Sequence, residues 1–366
     1  MKELFRYSAL LLIFSGCEQY FVPDIDSQEN YIVFEGSITT EAKAHVLNVT
    51  VSLPFDNDKF YRKIAGIEAW IEDANGDIFP YHYVDTGLFI TDTTVKAEIG
   101  HAYRLVAIDS AGNEYHSDFD TVFQVEEITS VYGEIDSEEK LIKNQDEGYI
   151  IKTTSGIEIL LNTTLSANNC YYRYEYDMVF QSSAIIPGSS SSISYFIVRP
   201  VFSVNSSFVR AIRGSEYSGK LINGMEVVFV SQDLMEYSAG ITAGAATVDV
   251  TSEGFFLRIK QHAISTHSYQ FWTAVNEQLN ATGQLLDPVK TQIIGNVRCV
   301  SDEDMKVFGN FEASSVSSIT KFMLLKEVGS SLIIKTADPG YFPTIDTTSV
   351  SVNSIEDFPF WYHIKE

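Results

Sequence analysis

The sequence predicts a mainly β protein, in which an N-terminal immunoglobulin-like or prealbumin-like β-sandwich precedes a larger β-rich domain with one amphipathic helix at about residues 265–281. Short runs of alternating apolar residues recur at about ten-residue spacing through the first third of the chain, separated by glycine-containing turns. Only one stretch has the three- and four-residue periodicity of a helix. With 45% hydrophobic and 20% charged residues, the composition is that of a globular protein.

The length of 366 residues is enough for about two domains. Acidic residues number 49 against 25 basic ones, giving a net charge of −24, which argues against nucleic acid or an anionic membrane face as a partner. We expect five segments: a lipoprotein signal peptide at 1–16, a lipidated tether at 17–30, the N-terminal β-sandwich at 31–125, an acidic connector at 126–148 and the C-terminal β-rich domain at 149–366.

The N-terminus has the features of a bacterial lipoprotein signal. Basic residues precede a short apolar run at 7–14, and Ser15 and Gly16 precede Cys17. The run is too short to span a bilayer, which takes about 20 apolar residues. Two small residues before a cysteine resemble a lipobox, so we expect Cys17 to carry the lipid that anchors the mature chain. The alternative is an ordinary secretory signal with a chance cysteine.

Alternation and turn residues locate the strands of the sandwich. The run at 46–53 alternates cleanly, with its apolar residues on one face. Gly76 lies in a turn that joins two further runs and supplies the positive φ that a hairpin needs. Asp73, Asn75 and Asp77 also have the spacing of calcium ligands, but the bidentate glutamate of such a loop is missing. A plain hairpin is therefore the favoured interpretation.

The segment at 126–148 is dense in acidic residues and poor in large apolar ones. This composition is typical of a solvated connector between domains. An acidic calcium site is the alternative, and we favour the connector.

A row of tyrosines marks one strand of the C-terminal domain. Tyr172, Tyr174 and Tyr176 alternate on one face, and Tyr171 lies on the other. Because aromatic rings can stack on sugars, these four residues are the candidate ligand-binding residues. The inward face of a half-buried strand is the alternative, and it is favoured because the whole chain is rich in tyrosine and phenylalanine.

The predicted helix begins after Ser265, which is a plausible N-cap. Tyr269, Trp272, Val275 and Leu279 then recur at helical spacing and form an apolar stripe. The simplest role for this stripe is packing onto a sheet.

The sequence lacks the motifs of common catalytic sites, such as a nucleophile elbow, a zinc-protease helix or a phosphate-binding loop. We therefore expect no enzymatic activity, no cofactor and no metal. His262 and His267 are the histidines closest to each other in the chain. They could bind a metal only with further ligands, which the sequence does not identify. Cys170 and Cys299 could form a disulfide in an exported protein, and two buried free thiols are the alternative.

Three stretches carry a resemblance to a known family. They are the run at 32–39, the helix with Tyr269-Gln270-Phe271-Trp272 continuing to the run at 294–297, and the run at 307–314. In this order, behind Cys17, they resemble the outer-membrane lipoproteins of Bacteroidota grouped as the domain-of-unknown-function 4249 family. The resemblance implies no chemical activity, because the family is assigned none.

The resemblance also implies a role. Members of the family are commonly found beside TonB-dependent outer-membrane transporters, which implies a lipid-anchored accessory protein that captures nutrients for such a barrel. The partners expected are thus a membrane, through the N-terminal lipid, and a TonB-dependent barrel, with no nucleic acid and an unknown ligand. The acidic Glu18 after Cys17 suits an outer-membrane protein exposed on the cell surface. Two alternatives are a structural or assembly component of the envelope and a hydrolase on a β-scaffold.

Overall fold

The structure is a computed structural model that describes residues 30–53, 61–143, 148–164, 171–185, 192–197, 207–210, 221–231, 249–280, 293, 295–328 and 331–336. Within these ranges lie twenty strands and one α-helix, so the predicted mainly β fold with a single helix is confirmed. None of the described helical residues forms a segment long and apolar enough for a membrane crossing.

The strands at Val46–Ser52 and Glu68–Asp73 alternate between buried and less buried residues, as a two-residue period requires. In the first third of the chain the strands are β1 (Ile32–Thr39), β2 (Val46–Ser52), β3 (Tyr61–Lys63), β4 (Glu68–Asp73), β5 (Ile78–Pro80), β6 (His82–Asp85), β7 (Leu88–Ile90), β8 (Ala102–Ile108), β9 (Glu114–Ser117) and β10 (Asp120–Thr121). The rest of the chain adds β11 (Ile128–Lys143), β12 (Tyr149–Thr164), β13 (Tyr171–Ile185), β14 (Ser192–Ile197), β15 (Ser207–Arg210), β16 (Leu221–Ser231), β17 (Asp249–Ile264), the helix α1 (Thr266–Asn280), β18 (Val297–Cys299), β19 (Val307–Val328) and β20 (Ser331–Thr336).

The first sandwich packs two sheets against each other. One has the strand order β18-β9-β8-β4-β5, and the other contributes β19, β1, β2, β7 and β6. Apolar side chains from both sheets fill the space between them, and we call this cluster the first core; it includes Phe34, Leu47, Ile71, Leu105 and Phe311. Burial of this apolar surface is the main term that holds the two sheets together.

The strand β19 connects two halves of the molecule, and we call it the shared strand. Its first part pairs in parallel with β1, from Ile32 opposite Val307 to Thr39 opposite Ser314. Its next part pairs antiparallel with β17, from Ser315 to Leu324. One continuous eleven-stranded sheet therefore runs from β6 at one end to β14 at the other.

The second sandwich lies on the other half of this long sheet. The three-stranded sheet β11-β12-β16 packs on β13, β17 and the later part of the shared strand. Their apolar side chains form the second core, which includes Ile157, Ile159, Tyr174, Phe255 and Leu257.

The hydrogen-bonded sheets do not follow the expected division at residues 125 and 149. Strand β18 pairs with β9, and the start of β19 pairs with β1, so residues 297–314 complete the first sandwich. Alternation along the chain identifies each strand but carries no information about which distant strand pairs with it.

The segment expected to be a solvated connector is mostly strand. β11 pairs with β12 along its whole length, from Ile128 to Lys143. Residues 134–137 are exposed on both faces of this ribbon, so the acidic side chains are solvated as their composition indicates. The strand shows no apolar alternation because neither face of this part packs on a core.

The predicted hairpin at 73–77 and the predicted helix are both confirmed. The backbone N–H of Asp73 donates to the carbonyl of Asp77 at 2.9 Å, and Gly76 has φ of +100°. The helix begins at Thr266, and the hydroxyl of Ser265 accepts the backbone N–H of Ser268 at 3.3 Å, as an N-cap does.

Candidate functional site

Three of the four candidate tyrosines are core residues. Tyr172 and Tyr174 are fully buried and Tyr176 is 9% exposed, so these rings are not available to stack on a sugar. Tyr171 faces the other way and stacks on Tyr269 of α1, with ring centroids 4.2 Å apart. The structure therefore corrects the platform interpretation and supports the inward-facing alternative. The reason is that the second core covers this face of β13.

Cys299 is a free cysteine buried in the first core. It lies on β18 opposite Tyr115, and its Sγ is 3.3 Å from Oγ of Ser301. The expected disulfide with Cys170 is thus not formed in the structure. Cys170 lies outside the described residues, as does Cys17.

A cluster of buried charges lies on the opposite face of β13, under the helix. It consists of Arg173, Glu175, His262, Trp272 and Glu312, and we call it the charged core. Arg173 Nη2 donates to Oε1 of Glu312 at 2.8 Å, and Arg173 Nη1 pairs with Glu175. Trp272 Nε1 donates to Oε2 of Glu312 at 2.8 Å, and its ring centroid lies 4.8 Å from the Arg173 guanidinium carbon. The His262 Nε2 is 3.5 Å from Oε2 of Glu175.

Mutual pairing keeps Arg173, Glu175 and Glu312 ionised despite their burial. Burial raises the pKa of Glu312, but Arg173, His262 and Trp272 outweigh it and hold that pKa below its ordinary value. The pKa of Glu175 lies well below its ordinary value because Arg173 and His262 outweigh burial there too. Burial lowers the pKa of Arg173, and the two carboxylates more than offset this. Within the charged core, the charge of Arg173 is therefore compensated by the two carboxylates.

A second contact fixes the start of α1. The Oδ2 of Asp120 accepts the Ser268 hydroxyl and the Ala313 backbone N–H, each at 3.0 Å. Burial raises the pKa of Asp120, which is 5% exposed. The helix is thus attached to β10 and to the shared strand at the same point.

The arrangement of the charged core is structural. The side chains of Arg173, His262 and Glu312 are at most 5% exposed, which leaves a substrate no access to them. Among the residues that the structure describes, no group of three or more His, Cys, Asp or Glu is arranged to hold a metal ion. His262 belongs to the charged core, and His267 lies in the first turn of α1.

Among the residues that the structure describes, accessible clefts lie on the first sandwich. One has a volume of about 480 Å³ and is lined by Arg62, Lys63 and Lys306; we call it the cationic cleft. Another has a volume of about 530 Å³ and follows β5; we call it the edge groove, and it is lined by Glu68, Trp70, Ile78, Pro80 and Tyr83 among others. Both volumes are in the range of small-molecule sites, about 300–1,000 Å³.

Similarity to one protein family covers most of the chain. The model of the family described as "Domain of unknown function (DUF4249)" matches residues 18–320. This chain belongs to that family. A comparison with curated proteins finds no match. The matched region starts directly after Cys17 and ends within the shared strand, so it includes the first sandwich and α1.

The three stretches that indicate the DUF4249 family meet in the structure. The first is β1, which pairs in parallel with the third, the start of the shared strand. The second supplies Trp272, whose indole N–H binds Glu312 of the third. It also supplies Asn296, whose Nδ2 donates to the carbonyl of Phe311 and whose Oδ1 accepts the Phe311 N–H, both at 2.8 Å.

Two glycines allow these stretches to approach closely. A Cβ added at Gly309, where φ is +108°, would lie 1.8 Å from the carbonyl oxygen of Phe34. A Cβ added at Gly295 would lie 1.5 Å from the carbonyl oxygen of Gly309. The sequence features that mark this chain as a DUF4249 protein thus build a packed junction, and they do not line a cleft.

Sequence reasoning missed the residues that line the accessible clefts. Lys306 is far from Arg62 and Lys63 in the chain, and the pairing of β19 with β1, of β1 with β2 and of β2 with β3 brings them to one cleft. The tandem Arg62-Lys63 in a strongly acidic chain was the one available signal.

Proposed function

We propose that the protein is a lipid-anchored accessory protein of the bacterial outer membrane, which docks on a TonB-dependent transporter and holds nutrient cargo for it. The lipobox-like sequence before Cys17 supports the anchor. Membership of the DUF4249 family supports the setting, through the resemblance described above. The proposal assigns no catalytic step to any residue.

The observation that carries the docking part is a free edge on the first sandwich. Among the described strands, β5 is the last of its sheet and β6 the last of the other. All four residues of β6 are exposed. Large apolar side chains lie at this edge with high exposure: Ile78 at 60%, Tyr83 at 60% and Val84 at 50%. A free strand edge with apolar side chains is a template for pairing with another strand.

The occupant that fits this edge is an extended, basic segment of the transporter. Backbone N–H and C=O groups of β6 would pair with its backbone, and the edge groove would receive its alternate side chains. The groove carries the acidic Glu68, and neither Lys nor Arg lies among the residues that line it. Asp92, 70% exposed on its side chain, lies beside His82 of β6. This negative charge favours a basic partner and disfavours a second copy of the same acidic chain.

The test is purification of the tagged, lipidated protein from outer membranes in mild detergent, with mass spectrometry of what accompanies it. We expect a TonB-dependent barrel in stoichiometric amount. The variant Val84→Glu places a carboxylate on the pairing edge and should lose the barrel. The matched control is Ile99→Glu, because Ile99 is also 50% exposed on the first sandwich and its neighbour Gly100 is hydrogen-bonded to Val122, not to β6.

Three outcomes would count against the proposal. If the wild-type protein is purified without any accompanying protein, the proposed association with a transporter is refuted. Co-purification with assembly machinery would favour the envelope-component alternative. Loss of the barrel in both variants would show that charge, and not the β6 edge, decides the association.

A further inference from the structure

The cationic cleft is a second feature of the first sandwich, separate in its lining from the edge groove except at Ile67. Arg62 and Lys63 of β3 form one side, and Lys306, just before the shared strand, forms another. The turn at 109–113, between β8 and β9, closes a third side. The cleft is thus built from segments that the sheets hold in fixed positions.

The charge of this cleft is opposite to that of the protein. The chain has a net charge of −24, yet three basic residues line this cleft. Within the part of the chain that the structure describes, the ion pairs of the first sandwich do not involve Arg62 or Lys63. The Lys306 Nζ lies over the Tyr31 ring, 5.8 Å from its centroid. Arg62 and Lys63 thus have no carboxylate partner among the described residues, and such cations in a concave site attract an anion.

The carboxylate that lines the cleft is already satisfied. The Oδ1 of Asp109 accepts the backbone N–H groups of Ala111 and Asn113, at 2.8 and 2.9 Å. Its Oδ2 accepts from Nδ2 of Asn113 and from the Tyr115 hydroxyl, both at 2.8 Å. Burial raises the pKa of Asp109, and these hydrogen bonds outweigh it and lower that pKa. Asp109 therefore holds the turn in place and leaves Arg62 and Lys63 for a ligand.

The floor of the cleft is aliphatic. It is lined by Ile32, Val51, Ile64, Ile67 and Met305. A ligand that fills it would bury apolar surface against these side chains and place its charged group at the basic rim. An arginine guanidinium is well suited to the planar or tetrahedral oxygens of a carboxylate or phosphate.

We propose that the cationic cleft binds a small organic anion with an apolar body, such as an alkyl phosphate or alkyl carboxylate. This rests on the proposed function only in that the bound anion would be the cargo. The volume of about 480 Å³ suits a small molecule and is too small for a folded partner.

Calorimetric titration of the purified protein with octyl phosphate, below its micelle concentration, tests the proposal. Neutral octyl glucoside and inorganic phosphate are the comparison ligands. We expect octyl phosphate to bind at least about tenfold more tightly than either, since each lacks one of the two interactions. The double variant Arg62→Gln with Lys63→Gln should lower the affinity for octyl phosphate by at least about tenfold.

The matched control is Lys96→Gln with Arg298→Gln, which removes the same charge from exposed positions elsewhere on the first sandwich. Equal weakening in both double variants would overturn the site, because net charge alone would then explain binding. Equal affinity for octyl glucoside would show that the ligand needs no negative charge. Equal affinity for inorganic phosphate would show that it needs no apolar body. Either result would overturn the proposal. Binding to this cleft without a co-purifying barrel would uphold the cleft and refute the transporter role, so the two failures are distinguishable.

Discussion

At the level of single residues, Glu312 connects three parts of the protein. It lies on the shared strand, binds Arg173 of β13 and accepts the indole N–H of Trp272 in α1. Its side chain is 3% exposed, so its charge depends on the arginine for compensation. A buried ion pair of this kind has little net effect on stability when both partners are present. Removing one partner is strongly destabilising, because the other charge is left buried without compensation.

Arg173→Met leaves two carboxylates, one of them fully buried, without their cation. We expect the free energy of unfolding to fall by about 3–5 kcal/mol. Adding Glu312→Gln should restore part of this loss, since the amide keeps an acceptor for Trp272 and carries no charge. Urea unfolding followed by circular dichroism measures both variants.

The control for this prediction is Arg298→Met. Arg298 is 61% exposed and pairs with the exposed Asp118, so its loss should cost less than about 1 kcal/mol. If the costs of Arg173→Met and Glu312→Gln simply add in the double variant, the two charges do not depend on each other and the account of the charged core is wrong.

At the level of elements, the parallel pairing of β1 with the start of the shared strand is the point where the first sandwich closes. Gly309 lies against β1 with φ of +108°, and the space for its Cβ is occupied by the Phe34 carbonyl. The left-handed region of φ by itself costs an L-residue about 1–2 kcal/mol. The steric overlap adds to that cost and forces the two strands apart.

We expect Gly309→Ala to abolish folding or to lower the free energy of unfolding by more than about 4 kcal/mol. The matched control is Gly112→Ala, where φ is +86° but nothing lies within 4 Å of the added Cβ. It should cost only about 1–2 kcal/mol, the strain of the left-handed conformation. Thermal unfolding of the two variants gives the comparison, and equal costs would show that β1 and the shared strand can separate freely at Gly309.

Turns and helices that depend on residues close together in sequence were predictable from the sequence. Strand pairings between segments far apart in sequence were not. The hairpin at Gly76 and the helix after Ser265 depend on residues a few positions apart, so turn chemistry and periodicity locate them. The pairing of β18 with β9 joins segments about 180 residues apart, and no local pattern specifies it. The same limit applies to the cationic cleft, because Lys306 reaches Arg62 only through the sheet.

At the level of the whole molecule, the shared strand makes two sandwiches depend on each other. It contributes Phe311 and Ala313 to the first core and Met323 to the second. Separation of the sandwiches would therefore disrupt a strand that both need. This predicts one cooperative unfolding unit where the length of the chain suggests two domains.

Native-state hydrogen exchange tests this cooperativity. We expect the backbone amides of Leu105 in β8 and Ile259 in β17 to exchange with the same free energy of opening, because both require global unfolding. The exposed ribbon at 134–137 serves as the internal control and should open at much lower free energy, since no core covers it. A clearly lower value for one of the two core strands would instead show sandwiches that unfold independently.

The position of the shared strand also sets the order in which the fold can be completed. Residues 31–125 leave the ribosome first, but β1 must wait for residues 307–314 before it has its second neighbour. At a synthesis rate of about 5–20 residues per second, this wait lasts roughly 10–40 s. During that time the early strands have an unfinished core and an unpaired edge. The first sandwich of a chain built in this way cannot be completed until about six-sevenths of the chain has been made.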